Sequence, residues 1–149
     1  MTLSSRQLRS LLTALLAAAS LAAAADSSAP LPRLQLHAGA HTFEVEVART
    51  PQQRERGLMG RTRLADNAGM LFVFRHTARP CFWMKNTPIP LSIAFLADDG
   101  RIVDIETMQP NTLYLHCPQA PVSYALEVNQ GGFGRRGIRP GMRITGGPL

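Results

Sequence analysis

Lysine is almost missing from this chain: Lys85 stands alone beside fifteen arginines in 149 residues. Cysteine is nearly as scarce, with only Cys81 and Cys117, and tryptophan occurs once, at Trp83. No Cys or His spacing suits a zinc site, and no Ser-x-x-Lys or Gly-x-Ser-x-Gly sequence marks an activated serine. Met-x-Met and His-x-His are absent as well. Aromatic residues make up only 6% of the chain, so its arginine clusters lack the interleaved rings of a single-strand nucleic-acid platform. The longest apolar run, Leu11 to Ala24, is shorter than the roughly 20 residues that span a bilayer as a helix.

That run is informative in another way. Arg6 and Arg9 precede it and Ala23-Ala24-Ala25 closes it before Asp26, the pattern of a secretory signal with an Ala-x-Ala cleavage site. The expected organisation is a signal peptide over residues 1–25, a flexible leader over 26–32 and one domain over 33–149. The mature chain would be periplasmic or secreted and would have no stable membrane insertion after cleavage. It would carry fourteen basic against ten acidic side chains, a net charge of +4. No nucleic-acid partner is expected, and the oligomeric state is left open. In an exported chain two cysteines pair, and Cys81 to Cys117 is the only possible intrachain bridge. In the chain-entropy view such a loop stabilises by roughly 4 kcal/mol.

Hydrophobic alternation sets the fold class. Leu34 to Val47 reads as a hairpin with Phe43, Val45 and Val47 inward. Thr50-Pro51 starts a short helix that Gly57 stops. Gly69 to Phe74 is a continuous apolar strand, suited to the middle of a sheet. Strands are expected over Phe82–Lys85, Leu91–Ala97, Arg101–Met108, Val122–Asn129 and Met142–Thr145, with Asp98-Asp99-Gly100 as a hairpin turn and a helical turn near Gly131–Arg136. The result is a mainly β, β-rich α+β chain: a small, mostly antiparallel curled sheet or barrel of seven to eight short strands with one or two short helices.

The densest cluster of rare residues is Cys81-Phe82-Trp83-Met84-Lys85-Asn86-Thr87. A period of two places Cys81, Trp83 and Lys85 on one face and Phe82, Met84 and Asn86 on the other. Two readings fit. Phe82, Trp83 and Met84 are core residues past which Lys85 snorkels, or Trp83, Lys85 and Asn86 form a ligand face. Glu127, which shares a strand face with Ala125, is either solvated or the partner of Lys85 or an arginine.

Four ordered stretches carry a resemblance: Arg56-Gly57-Leu58-Met59-x-Arg61, Gly69-Met70-Leu71-Phe72-x-Phe74, Phe82-Trp83-Met84-Lys85-Asn86-Thr87-x-Ile89-Pro90-Leu91, and Ala125-Leu126-Glu127. Together they resemble the bacterial and archaeal domain-of-unknown-function family 192. The cysteine pair with His116-Cys117-Pro118 looks like an exported proteobacterial subgroup. The resemblance implies one mostly β domain and brings no activity or cofactor. Ser92 and Met142 stand where family members often have aspartate.

Three functions follow as expectations. The first is a binding module for a small polar or anionic ligand such as a glycan, using Arg56, Met59, Arg61, Trp83, Lys85, Asn86, Thr87 and Glu127. The second is a periplasmic hydrolase or transferase in which Lys85 acts with Glu127 or His116. The third is copper handling through Met59, Met70, Met84 and Met108, with His37 and His41 facing each other across a hairpin. The methionines sit in apolar neighbourhoods and also read as core.

Overall fold

The computed structural model describes residues 30–149; the expected signal peptide and the leader up to residue 29 lie outside them. Six strands form a single mixed sheet in the order β1-β2-β3-β6-β4-β5. They are β1 Arg33–Ala38, β2 His41–Ala48, β3 Ala68–Ala78, β4 Leu91–Leu96, β5 Ile102–Met108 and β6 Val122–Asn129. Four ladders are antiparallel and one, between β2 and β3, is parallel. The parallel pair requires a crossover, which is made by α1, Pro51–Arg56, and the turns after it. A capping box starts α1: the Thr50 hydroxyl accepts the Gln53 N–H, and the Gln53 side chain accepts the Thr50 N–H.

β6 is inserted between β3 and β4. Its residues pair on one side with Gly69–Val73 and on the other with Leu91–Leu96. Both faces of the sheet are covered by packed side chains. One core joins Leu36, Phe43, Val45, Leu71, Leu126, Val128 and Ile102 with Phe133, Ile138 and Ile144 of the C-terminal segment. The other joins Met70, Phe72, Ile93, Phe95, Ala125 and Val122 with Leu58, Met84, Ile89 and Met108. Near the start of the described chain, Leu31 packs on this second core and the Pro32 carbonyl accepts the Val47 N–H.

The count and closure differ from the sequence expectation of seven to eight strands in a mostly antiparallel sheet or barrel. Phe82–Lys85 contributes one isolated bridge, Phe82 to His116, because Pro80, Pro88 and Pro90 remove donors on both sides and Lys85-Asn86 turns the chain. Met142–Thr145 likewise forms no continuous ladder. It laces the two edges of the sheet, with Thr145 bridging His37 of β1 and Arg143 bridging Arg101 beside β5. Ile144 N–H bonds to the Gly100 carbonyl at 2.9 Å. A Cβ at residue 100 would collide with the Ile144 carbonyl, so glycine at this turn lets the seam close. The sheet is curled, and its edges are tied by bridges instead of a shared ladder.

The seam should matter energetically because Ile144 is fully buried in the first core. Ile144→Ala is expected to lower unfolding free energy by about 3 kcal/mol, measured by urea denaturation. A loss below about 1 kcal/mol would show that the seam contributes little to the core.

Candidate functional site

On the second face a pocket of about 210 Å³ opens where the crossover meets the Phe82 bridge. α1 supplies Arg54, Glu55 and Arg56; the turn after it supplies Gly57, Leu58 and Met59. Gly57 has φ 45°, and a Cβ there would press on Phe72 Cζ at 3.4 Å. Glycine thus both turns the chain and keeps α1 close to β3. Phe72 and Phe74 form one wall, Pro80, Cys81, Phe82 and Trp83 another, and Thr87 and Glu127 complete the lining.

Phe82 organises the rings. It lies edge-on to Phe72 at 5.0 Å and to Phe74 at 6.3 Å between centroids, and it meets Phe95 at 5.8 Å. These are favourable quadrupole arrangements and fix the apolar wall. Arg54 is held beside it: one Nη donates to the Val73 carbonyl at 3.1 Å and to the Arg49 carbonyl, and the guanidinium lies 5.4 Å from the Phe74 centroid. A register irregularity in β3 between Val73 and Ala78 falls where Phe74 reaches the pocket.

Glu127 is the polar group at the floor. It lies opposite Met70 of β3 and Ile93 of β4 and is only 5% exposed. Among the described residues, no hydrogen bond or ion pair to its carboxyl is present, and its oxygens are not sealed off but reach the pocket. Burial among apolar neighbours penalises the anion and pushes its pKa up to about 8. At neutral pH Glu127 is thus mainly a neutral carboxylic acid, a hydrogen-bond donor as well as an acceptor.

The residues singled out from sequence divide into two groups. Arg56, Met59, Trp83, Thr87 and Glu127 meet at the pocket. Lys85 does not: it is exposed, with Nζ 5.2 Å from the Trp83 ring centroid in a cation–π contact. Asn86 works through its backbone. Its φ of 55° turns the chain, and its carbonyl accepts the Gly60 N–H at 2.8 Å. Thr87 is buried and donates to the Lys85 carbonyl. Arg61 lies elsewhere, paired to Glu46 at 2.5 Å.

Lys85, Glu127 and His116 are not joined by any hydrogen bond or ion pair among the described residues. His116 Nδ1 instead meets Glu106 Oε2 at 2.6 Å. The proposed catalytic pairings of Lys85 therefore lack a geometric basis. Met70, Met84 and Met108 are buried in the second core, while Met59 lines the pocket. His37 sits opposite Thr42, not His41, and its Nδ1 is 3.2 Å from the Thr42 hydroxyl. No group of three His, Cys, Asp or Glu side chains arranged to hold a metal occurs among the described residues.

Cys81 and Cys117 form the disulfide, with Cα atoms 4.2 Å apart. Ser92 is buried, and its hydroxyl accepts the Gly131 N–H at 3.0 Å, a structural role on β4. Phe72, Phe74, Phe82 and Arg54 were not marked as site residues by sequence. Their signal was the alternation Met70, Phe72, Phe74, which places all three on the Glu127 side of the sheet once β6 is known to lie beside β3.

The family profile described as DUF192, uncharacterized ACR, matches residues 34–146. The chain belongs to the DUF192 family. The match covers the four ordered stretches and every strand of the sheet apart from the first residue of β1. Two solved structures resemble this DUF192 chain closely. One, from Sinorhizobium meliloti 1021, is assigned provisionally as a transcription regulator; it has 41% identity, a TM-score of 0.74 and covers 78% of this chain and 94% of its own. The other, a protein of unknown function from Novosphingobium aromaticivorans DSM 12444, has 32% identity, a TM-score of 0.72 and covers 80% and 94%. No curated protein matches the chain.

The buried acid has a measurable consequence. Unfolded, Glu127 ionises near its ordinary value of 4.5; folded, it stays protonated until about pH 8. Between those values folding takes up a proton, so this group's contribution to stability falls as pH rises and levels off above the folded value. Glu127→Gln removes that slope. Its melting temperature relative to wild type is expected to rise from about pH 5 to about pH 8. A pH-independent difference in calorimetric melting would show that the carboxyl is solvated or paired.

Proposed function

We propose that this DUF192 protein is a binding module for a compact, mainly apolar molecule that packs on Phe72, Phe74, Phe82 and Trp83 and presents one hydrogen-bond acceptor to Glu127. The observation that carries the proposal is Glu127 itself: a carboxyl nine-tenths buried and without a partner, at the floor of an aromatic pocket. No side-chain oxygen among the described residues is both sealed from solvent and unpaired, so the carboxyl reaches the pocket, where a ligand acceptor can meet it. The volume fits a ring-sized molecule, since an apolar cavity of about 150 Å³ holds benzene. This reading departs from the polar or anionic ligand, such as a glycan, expected from the sequence. Arg54, Glu55 and Arg56 set charges of both signs at the rim, whereas the rest of the lining is mainly apolar and aromatic, with the Thr87 and Glu127 side chains among it.

Benzamide, benzyl alcohol, toluene and glucose test this reading by titration of Trp83 fluorescence. Benzamide is expected to saturate the signal, and Glu127→Leu should weaken it about five- to tenfold while leaving toluene unchanged or tighter. Because the donor form of Glu127 is lost above about pH 8, benzamide affinity should fall roughly tenfold between pH 7 and pH 9. Saturation by glucose without saturation by benzamide would overturn the apolar reading in favour of a sugar platform on Trp83. Equal benzamide affinity in wild type and Glu127→Leu would remove Glu127 from the site.

A further inference from the structure

The large hydrophobic residues exposed among the described residues fall in one place. Leu113 is 65% exposed, Tyr114 75%, Leu115 65% and Trp83 42%. Their backbone explains the clustering. Phe82 and His116 exchange both N–H···O bonds at 2.8 Å, and the Met84 N–H reaches the Thr112 carbonyl at 3.0 Å. One residue, Trp83, lies between the two contacts on one leg, and three, Leu113-Tyr114-Leu115, lie between them on the other. The surplus forces those three outward as a bulge opposite Trp83. The Cys81–Cys117 disulfide sits directly beside the Phe82–His116 bridge and holds both legs.

Such a patch is larger than scattered surface leucine and marks an interaction surface. Its charge identifies the partner. From residue 67 to 97 and from 107 to 126, the segments that carry the two legs, there is no Asp or Glu, while Arg75, Arg79 and Lys85 are present and exposed. Arg79 donates to the Pro118 carbonyl at 3.1 Å, which places it beside the Cys117 leg, and Lys85 lies over Trp83. The nearby acids are Glu106, paired with His116, and Glu55 at the pocket mouth. A two-fold contact between copies would set Arg79 and Lys85 against the same cations of the second copy. An anionic lipid surface complements them instead. Tyrosine and tryptophan suit its interface, with an apolar body and a polar edge. No helix among the described residues is long and apolar enough to cross a membrane, so the contact is peripheral.

We propose that Leu113, Tyr114, Leu115 and Trp83 dock the protein reversibly on anionic lipid, with Arg79 and Lys85 meeting the headgroups. Two weak signals, a short apolar tip and a few cations, combine to give binding that either alone would not sustain.

The test uses the chain without residues 1–25, which keeps every residue of both cores and removes the apolar run that would itself bind lipid. Vesicles of phosphatidylcholine, with and without phosphatidylglycerol, are titrated while Trp83 emission and co-sedimentation are followed. Partitioning is expected to be at least about tenfold stronger on the anionic vesicles at low salt and to weaken in about 0.5 M salt. Leu113→Ser with Leu115→Ser should reduce it about tenfold or more with an unchanged melting temperature, since both side chains are exposed. Lys85→Gln should reduce it roughly fivefold. Glu127→Leu should leave it unchanged, which separates this surface from the pocket. Absence of partitioning onto either vesicle would overturn the proposal. So would a concentration-dependent dimer in sedimentation velocity that the double serine variant abolishes, because the patch would then belong to a second copy.

Discussion

The structure depends on the double pairing of β6. A strand with hydrogen-bonded neighbours on both edges and a core on both faces has no route to solvent except where packing fails. Glu127 stands at such a place, with Met70 and Ile93 as lateral neighbours and the crossover turns above it. Its neutral state, the pocket shape and the chemistry proposed for the ligand all follow from placing an acid in the middle of that strand.

Much of the architecture was legible in the sequence. The hairpin from Leu34 to Val47, the cap at Thr50-Pro51, the turn at Asp98-Asp99-Gly100 and the strand at Val122–Asn129 rest on local rules, alternation and turn chemistry. Partner choice was not legible. Nothing in the pattern of Gly69 to Phe74 says that β3 runs parallel to β2 or that β6 will lie beside it. Without that adjacency the aromatic residues of β3 read as core, and Glu127 could be placed on the Ala125 face but not in a pocket. The segment around Trp83 alternates as a strand would, with Phe82 and Met84 inward, yet prolines on both sides leave it a single bridge. Periodicity sees side chains; it does not see the missing donors.

A pocket and an exposed patch with different physics share Trp83. Behind it lies a confined space of rings around one neutral carboxyl; in front lie Lys85 and the Leu113-Tyr114-Leu115 bulge, open to solvent. The pocket should respond to pH through its acid, and the surface to ionic strength through its cations. Lys85 belongs to the surface, where it lies over the Trp83 ring and outside the pocket lining.

The disulfide also divides the sheet covalently. Cys81 and Cys117 enclose all of β4 and β5, while β6 begins at Val122, just outside the covalent ring. The covalent ring therefore contains that hairpin and none of the strand that carries Glu127. The covalent constraint and the acid of the pocket thus lie on different stretches of chain, joined by the β4–β6 ladder and the packing around it.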